Sequence, residues 1–69
     1  MDGIKITLAA ARVNAGMTQE QVAERIGLSK QTIISWEKGR TKPNPAEFDF
    51  LCRMYNMPKD FIFLPDAIT

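Results

Sequence analysis

The chain has 69 residues, 45% of them hydrophobic, and these values predict one small globular domain with a limited core. It contains one cysteine and no histidine, so it offers no disulfide pair and almost no ligands for zinc or another soft metal. No apolar run approaches the roughly 18 residues of a membrane span, and the first residues lack a signal-peptide pattern. We therefore expect a single cytoplasmic domain over residues 1–69, with no metal, cofactor or membrane partner.

Residues 4–15 predict the first helix, with Asp2 as its N-cap and Gly16 as its terminator. Ile4 and Leu8 lie on the stripe that we expect to face the core. The helix thus supplies one apolar face to a small bundle.

Arg12 follows Leu8 by one turn, so its guanidinium points towards the core, where a charge needs a partner. Glu37 is the one acid on the inner stripe of a later predicted helix. We predict that Arg12 and Glu37 form a bidentate ion pair that joins the two helices. The alternative is two separate, solvated side chains.

Residues 18–39, TQEQVAERIGLSKQTIISWEKG, predict two short helices joined by a tight turn. Thr18 and Ser29 are the N-caps that this spacing favours. Gly27 and Gly39 are the terminators, because glycine adopts the left-handed conformation at a helix C-terminus most easily. The pattern is that of a helix–turn–helix.

The outward stripe of the second helix of this motif, over residues 29–38, is unusual for a solvent face. It combines long cations, an amide, a hydroxyl and an isoleucine, which are groups that contact base edges in a major groove. Ile34 either meets a thymine methyl group or is merely exposed. We predict four base-contacting residues: Lys30, Gln31, Ile34 and Ser35.

The net charge is only +1, from 9 basic and 8 acidic residues, so the sum alone does not indicate nucleic-acid binding. The distribution indicates it better, because four cations lie within thirteen residues: Lys30, Lys38, Arg40 and Lys42. We predict a phosphate-facing patch there. The alternative is an ordinary surface of mixed charge.

Residues 45–55 predict a fourth helix with Asn44 as its N-cap, and residues 58–64 predict a short fifth one. Several apolar side chains of this half lie off the core stripe, and they predict a face for self-association or for a protein partner: Phe50, Met54, Phe61 and Phe63. The alternative is ordinary exposed apolar surface.

The fold that these elements predict is an all-α bundle of five short helices. Its predicted core is formed by Leu8, Val22, Ala23, Ile26, Leu28, Ile33, Trp36, Phe48, Leu51, Cys52 and Tyr55. Trp36 lies either in this core or at its rim, where its indole N–H would contact water.

The run TQEQVAERIGLSKQTIISWEKGRTKP resembles the helix–turn–helix of lambda-type phage repressors, Cro proteins and related XRE-type bacterial regulators. The resemblance implies a transcriptional regulator, expected to be a repressor, that binds an inverted-repeat operator in double-stranded DNA as a homodimer. It also implies that Lys30, Gln31 and Ser35 contact bases and that Arg12 and Glu37 are the family's buried pair. The phosphate contacts that we expect come from Gln19, Lys38, Arg40, Thr41 and Lys42.

Two other classes of function compete with this interpretation. An antitoxin-like or other protein-interaction module would use the apolar C-terminal face. An enzyme is disfavoured, because the sequence has no histidine, no phosphate-binding loop and no paired carboxylates in a pocket-forming fold. We therefore expect no catalytic residues and no small-molecule substrate.

Overall fold

The computed structural model describes residues 5–64. This part of the chain is mostly helical, as predicted, but it has four α-helices and not five. Among these residues, no helix combines the length and the apolar character needed to cross a membrane. In chain order the elements are β1 (Ile6–Thr7), α1 (Leu8–Asn14), α2 (Gln19–Ile26), α3 (Lys30–Lys38), α4 (Pro45–Met54), a 3-10 turn (Lys59–Phe61) and β2 (Ile62–Phe63).

The first helix begins at Leu8, so its predicted start at residue 4 is wrong. Thr7 is the N-cap: its backbone is extended, with ψ of 162°, and its Oγ1 accepts a hydrogen bond from the N–H of Ala10 at 3.0 Å. A capping threonine satisfies an N–H that the helix itself leaves unpaired, and this fixes where the helix begins. The predicted cap, Asp2, lies outside the described residues.

In place of the predicted fifth helix, residues 59–61 form the 3-10 turn, and residues 62–63 form a strand that pairs in parallel with β1. Ile6 pairs with Ile62 and Thr7 pairs with Phe63. Successive side chains of an extended segment point to opposite faces, so Ile62 is buried while Phe63 is exposed. This alternation explains the difference from the prediction, because a single helix cannot bury four consecutive apolar residues against one neighbour.

The core agrees with the prediction at eight positions and differs at five. Leu8, Val22, Ala23, Ile33, Trp36, Leu51, Cys52 and Tyr55 are buried as predicted. Ile26 and Phe48 are half-buried at its edge. Ala11 and Ile62, which are not among the predicted core residues, are also buried.

Leu28 was predicted in the core but is 38% exposed. Gly27 turns the chain with φ of 80°, and the N–H of Leu28 then donates to the carbonyl oxygen of Ala23 at 3.0 Å. These bonds close the end of α2 and hold Leu28 in the turn between two helices. A side chain held in that turn does not enter the core.

Candidate nucleic-acid interface

The start of α2 is fixed by a reciprocal cap. Thr18 Oγ1 accepts from the N–H of Gln21 at 3.1 Å, and Gln21 Oε1 accepts from the N–H of Thr18 at 2.8 Å. Both bonds satisfy donors that are otherwise unpaired at a helix N-terminus. The side chain of Gln19, the first residue of α2, is therefore carried on a rigid turn.

Helix α3 has defined ends as well. Ser29 Oγ accepts from the N–H of Thr32 at 3.2 Å. At the other end, Gly39 has φ of 77°, and the N–H of Arg40 donates to the carbonyl oxygen of Ser35 at 2.9 Å. This is the bonding of a left-handed C-terminal cap. It fixes the direction in which the basic segment leaves the helix.

The inner face of α3 is locked into the core, which determines the face that it turns outward. Ile33 is 1% exposed and Trp36 is 4% exposed, so the indole lies in the core and not at its rim. The opposite stripe carries the residues that were predicted to contact DNA: Lys30, Gln31 and Lys38 are exposed, while Ile34 and Ser35 are half-buried. One continuous outward stripe of α3 therefore contains amide, hydroxyl, cationic and apolar groups.

Arg12 and Glu37 join α1 to α3 in a nearly buried ion pair. Arg12 Nε donates to Glu37 Oε2 at 2.7 Å, and Arg12 Nη2 donates to Glu37 Oε1 at 3.3 Å. Arg12 Nη1 also donates to the carbonyl oxygen of Met17 at 2.9 Å, just before the cap of α2. The bond to Glu37 raises the pKa of Arg12 above its usual value. The geometry is the bidentate arrangement that the sequence suggested.

Gln19 belongs to the same network. Its Nε2 donates to Glu37 Oε1 at 2.9 Å, so Glu37 binds groups from both α1 and α2. An amide nitrogen has two N–H donors, and the contact with Glu37 occupies one of them. Gln19 is half-buried, and the sequence did not predict its contact with Glu37.

Lys30 has an acidic neighbour that sequence reasoning missed. Its Nζ donates to Glu20 Oε2 at 3.0 Å, across the turn between α2 and α3. This hydrogen bond lowers the pKa of Glu20. Both residues lie on exposed faces, so the hydropathy pattern of the sequence does not predict their contact.

The basic segment after α3 stays at the surface. Arg40, Thr41 and Lys42 are exposed, and the buried Pro43 anchors the end of this segment. Together with Lys38 they surround the C-terminal end of the α3 stripe. The structure thus places the predicted phosphate-contacting cations and the predicted base-contacting residues on neighbouring surfaces.

Three of the four residues predicted to form an apolar partner face have exposed side chains. Phe50 is 41% exposed, Phe61 55% and Phe63 50%. Met54 is half-buried and packs against the core, so it contributes less to this face than its sequence position suggested.

Within residues 5–64, no group of three or more acids, histidines or cysteines could hold a metal ion. Cys52 is buried, and burial raises the pKa of its thiol.

Comparison with known proteins gives consistent matches. A family model described as helix-turn-helix matches residues 8–62. An uncharacterized HTH-type transcriptional regulator of Methanothermobacter thermautotrophicus is 54% identical over 33 residues, which are 48% of each chain. The type II methyltransferase M.SsoII of Shigella sonnei is 45% identical over 49 residues, which are 67% of this chain and 13% of the enzyme. The cryptic phage CTXphi transcriptional repressor RstR of Vibrio cholerae is 36% identical over 47 residues, which are 68% of this chain and 42% of the repressor.

The chain therefore spans less than half the length of each of these three relatives. No solved structure matches the chain. In the methyltransferase, the similar region is a small part of a much longer protein.

Proposed function

Because the chain belongs to the helix–turn–helix family of Cro/C1-type DNA-binding transcriptional regulators, we propose that it regulates transcription by binding a specific sequence of double-stranded DNA. The observation that carries this proposal is the outward stripe of α3. Its inner face is locked by Ile33 and Trp36, so the helix can present only one set of side chains to a groove.

In the proposed complex, the first turn of α3 enters the major groove most deeply. The ammonium of Lys30 matches guanine O6 and N7, and the amide of Gln31 matches adenine N6 and N7. Ser35 bonds to either kind of base edge, and Ile34 packs on a thymine methyl group. These four residues are the ones that we propose to determine sequence preference.

The phosphate contacts are proposed to come from the two sides of this helix. Gln19 offers its second amide N–H at the start of α2, because the first is held by Glu37. Lys38, Arg40, Thr41 and Lys42 offer charges and a hydroxyl at the end of α3. Such contacts fix the register of a protein on DNA without carrying sequence information.

We propose further that the regulator acts as a repressor and binds an inverted repeat as a homodimer. RstR, one of the similar proteins, is itself a transcriptional repressor. A net charge of +1 gives one copy little attraction for DNA, whereas two copies double both the base and the phosphate contacts. The half-sites are expected about 34 Å apart, which is one helical turn.

In vitro selection from random duplexes tests the proposal, because the selected consensus reports both the half-site and the spacing. We expect an inverted repeat that binds far more tightly than a scrambled duplex, with an affinity that falls as salt rises. Equal binding to selected and scrambled duplexes would refute sequence-specific binding.

Two variants then separate the contacts to bases from the contacts to phosphates. Gln31→Ala is expected to lose about 1–3 kcal/mol on the operator and to relax preference at one position per half-site. Arg40→Ala is expected to weaken binding to all sequences alike and to lower the salt slope by about one per subunit. The roles are reversed if Arg40→Ala alters the selected consensus and Gln31→Ala leaves it intact.

A second candidate function is a protein-interaction module of the antitoxin kind, which the exposure of Phe50, Phe61 and Phe63 favours. Co-purification from the native host separates the two, because a stoichiometric second protein would support this candidate. The two functions are compatible in one chain. We propose no catalytic role, since the similarity to the methyltransferase covers only 13% of that enzyme.

A further inference from the structure

The exposed ion pair between Glu20 and Lys30 places a negative charge beside the helix that we assign to the major groove. Lys30 Nζ lies 3.0 Å from Glu20 Oε2, and the side chains of Lys30 and Glu20 are 46% and 65% exposed. The proposed contacts with DNA use Lys30 but leave Glu20 without a role. An acid on a DNA-facing surface weakens the attraction to phosphates, so its presence there needs an explanation.

The stability of the two helices explains the position of Glu20 but not that of Lys30. Glu20 lies in the first turn of α2, where the positive end of the helix dipole favours an anion. Lys30 is the first residue of α3, where the same end of the dipole disfavours a cation. The carboxylate of Glu20 offsets part of this cost. The hydrogen bond from Lys30 lowers the pKa of Glu20, as expected for a carboxylate that accepts from an ammonium.

An ammonium group has three N–H donors, so Lys30 can keep its bond to Glu20 and still donate to a second acceptor. Whether this second contact is favourable depends on the charge of the acceptor. Guanine O6 and N7 carry no net charge, so the Glu20 carboxylate does not repel them as strongly as it repels an anion. A phosphate is an anion, and two anions within a few ångströms of each other repel. The pair therefore discriminates against a phosphate and in favour of a base edge.

We propose that Glu20 is a specificity-determining residue: its carboxylate holds the Lys30 ammonium for a base contact and opposes the contact of that ammonium with DNA phosphates. This inference rests on the proposed function. A lysine without such a neighbour has a flexible stem and a compact charge, and it can swing to whichever phosphate lies within reach. Glu20 thus lowers affinity for every duplex, but lowers it most for duplexes that offer Lys30 no matching base.

The test compares Glu20→Gln with Glu24→Gln on a selected operator and on a scrambled duplex of the same length. Both changes remove one negative charge from α2, but only the first removes the partner of Lys30. We expect Glu20→Gln to bind the scrambled duplex about three- to tenfold more tightly, with a salt slope larger by about one per subunit. The preference for the operator should fall by about threefold or more. Glu24→Gln should change the affinity for both duplexes by one common factor.

The same measurement in a Lys30→Met background shows whether Glu20 acts through the lysine. There, Glu20→Gln is expected to leave the preference for the operator unchanged. The inference is overturned if Glu20→Gln shifts both duplexes equally, or if its effect on preference persists without Lys30. A wild-type protein that selects no sequence at all would overturn the proposed function instead, so the two failures are distinguishable.

Discussion

Helix α3 carries one ion pair near each end, and the two pairs differ mainly in their contact with water. At its N-terminal end, Lys30 and Glu20 are 3.0 Å apart, with side chains 46% and 65% exposed. At its C-terminal end, Arg12 and Glu37 are 2.7 Å apart, with side chains 15% and 8% exposed. Glu37 has a second partner in Gln19, whereas Glu20 has Lys30 alone among the side chains that the structure describes around it.

This difference separates a structural pair from a functional one. Water solvates the exposed charges almost as well as they solvate each other, so breaking that pair changes the free energy of unfolding very little. Breaking the buried pair leaves a charge that water cannot reach freely, which is strongly destabilising. The buried pair can therefore hold α1, α2 and α3 in a fixed arrangement, while the exposed pair is able to exchange partners when DNA arrives.

The largest effect is expected from breaking the buried pair. Arg12→Ala should lower the free energy of unfolding by about 2–4 kcal/mol, because it leaves Glu37 partly buried without its cation. Urea denaturation followed by Trp36 fluorescence measures this loss. The matched control is Arg53→Ala: Arg53 pairs with Asp49 at 3.1 Å but is 79% exposed, so the loss should stay below about 0.5 kcal/mol.

The double variant Arg12→Ala with Glu37→Ala shows whether the two residues act together. It should recover part of the loss, since no partly buried charge is left unpaired. Two single effects that simply add would contradict the energetic coupling of this pair.

The ionisation of Tyr55 reports how strongly water is excluded near the pair of Arg12 and Glu37. Burial, with a contribution from the charge of Glu37, raises the pKa of Tyr55 from 10.0 to about 12. Between these values the unfolded chain loses a proton that the folded chain keeps, so stability is complete below pH 10 and falls as the pH rises to 12. The loss should reach on the order of 2–3 kcal/mol.

The measurement is urea denaturation across this alkaline range, with Tyr55→Phe as the control. The variant keeps the ring but has no phenol to ionise, so its stability should fall less steeply with pH. Parallel curves for the two proteins would mean that Tyr55 ionises equally in both states.

A smaller effect is expected at the edge of the buried network. Gln19→Ala removes one of the hydrogen bonds to Glu37 but leaves the ion pair with Arg12 intact. The loss of stability should be about 1 kcal/mol, the usual net contribution of one such bond. A loss as large as that of Arg12→Ala would show that the amide, and not the guanidinium, is the main partner of Glu37.

The sequence predicts best those features that depend on a few neighbouring residues. The caps of α2 and α3 follow from Thr18, Gly27, Ser29 and Gly39, and the structure confirms all four. The parallel pairing of Ile6 with Ile62 could not be predicted, because it joins two segments of two residues each from opposite ends of the chain. Segments that short show no periodicity of their own.

The same distinction applies to the two ion pairs. Arg12 and Glu37 each interrupt an apolar stripe, so each required a partner, and few candidates existed. Glu20 and Lys30 lie on exposed faces, where charged residues are ordinary, and their contact depends on the angle between α2 and α3. Hydrophobic periodicity reports which face of a helix is buried, but it does not report that angle.

The smallest effect on stability is expected at the exposed pair, for which we propose a role in DNA binding. Glu20→Gln should lower the thermal midpoint of the free protein only slightly, since both partners of this pair are well solvated and the variant loses only the weak interaction of an exposed carboxylate with the dipole of α2. Lys30→Met should not lower it, because a cation at the first position of α3 opposes the helix dipole. Thermal denaturation at low and at moderate salt provides the measurement, and the small difference between wild type and Glu20→Gln should shrink as salt rises. If Glu20→Gln instead destabilised the protein as strongly as Arg12→Ala, the exposed pair would be a structural link between α2 and α3, and it would not be free to exchange partners on DNA.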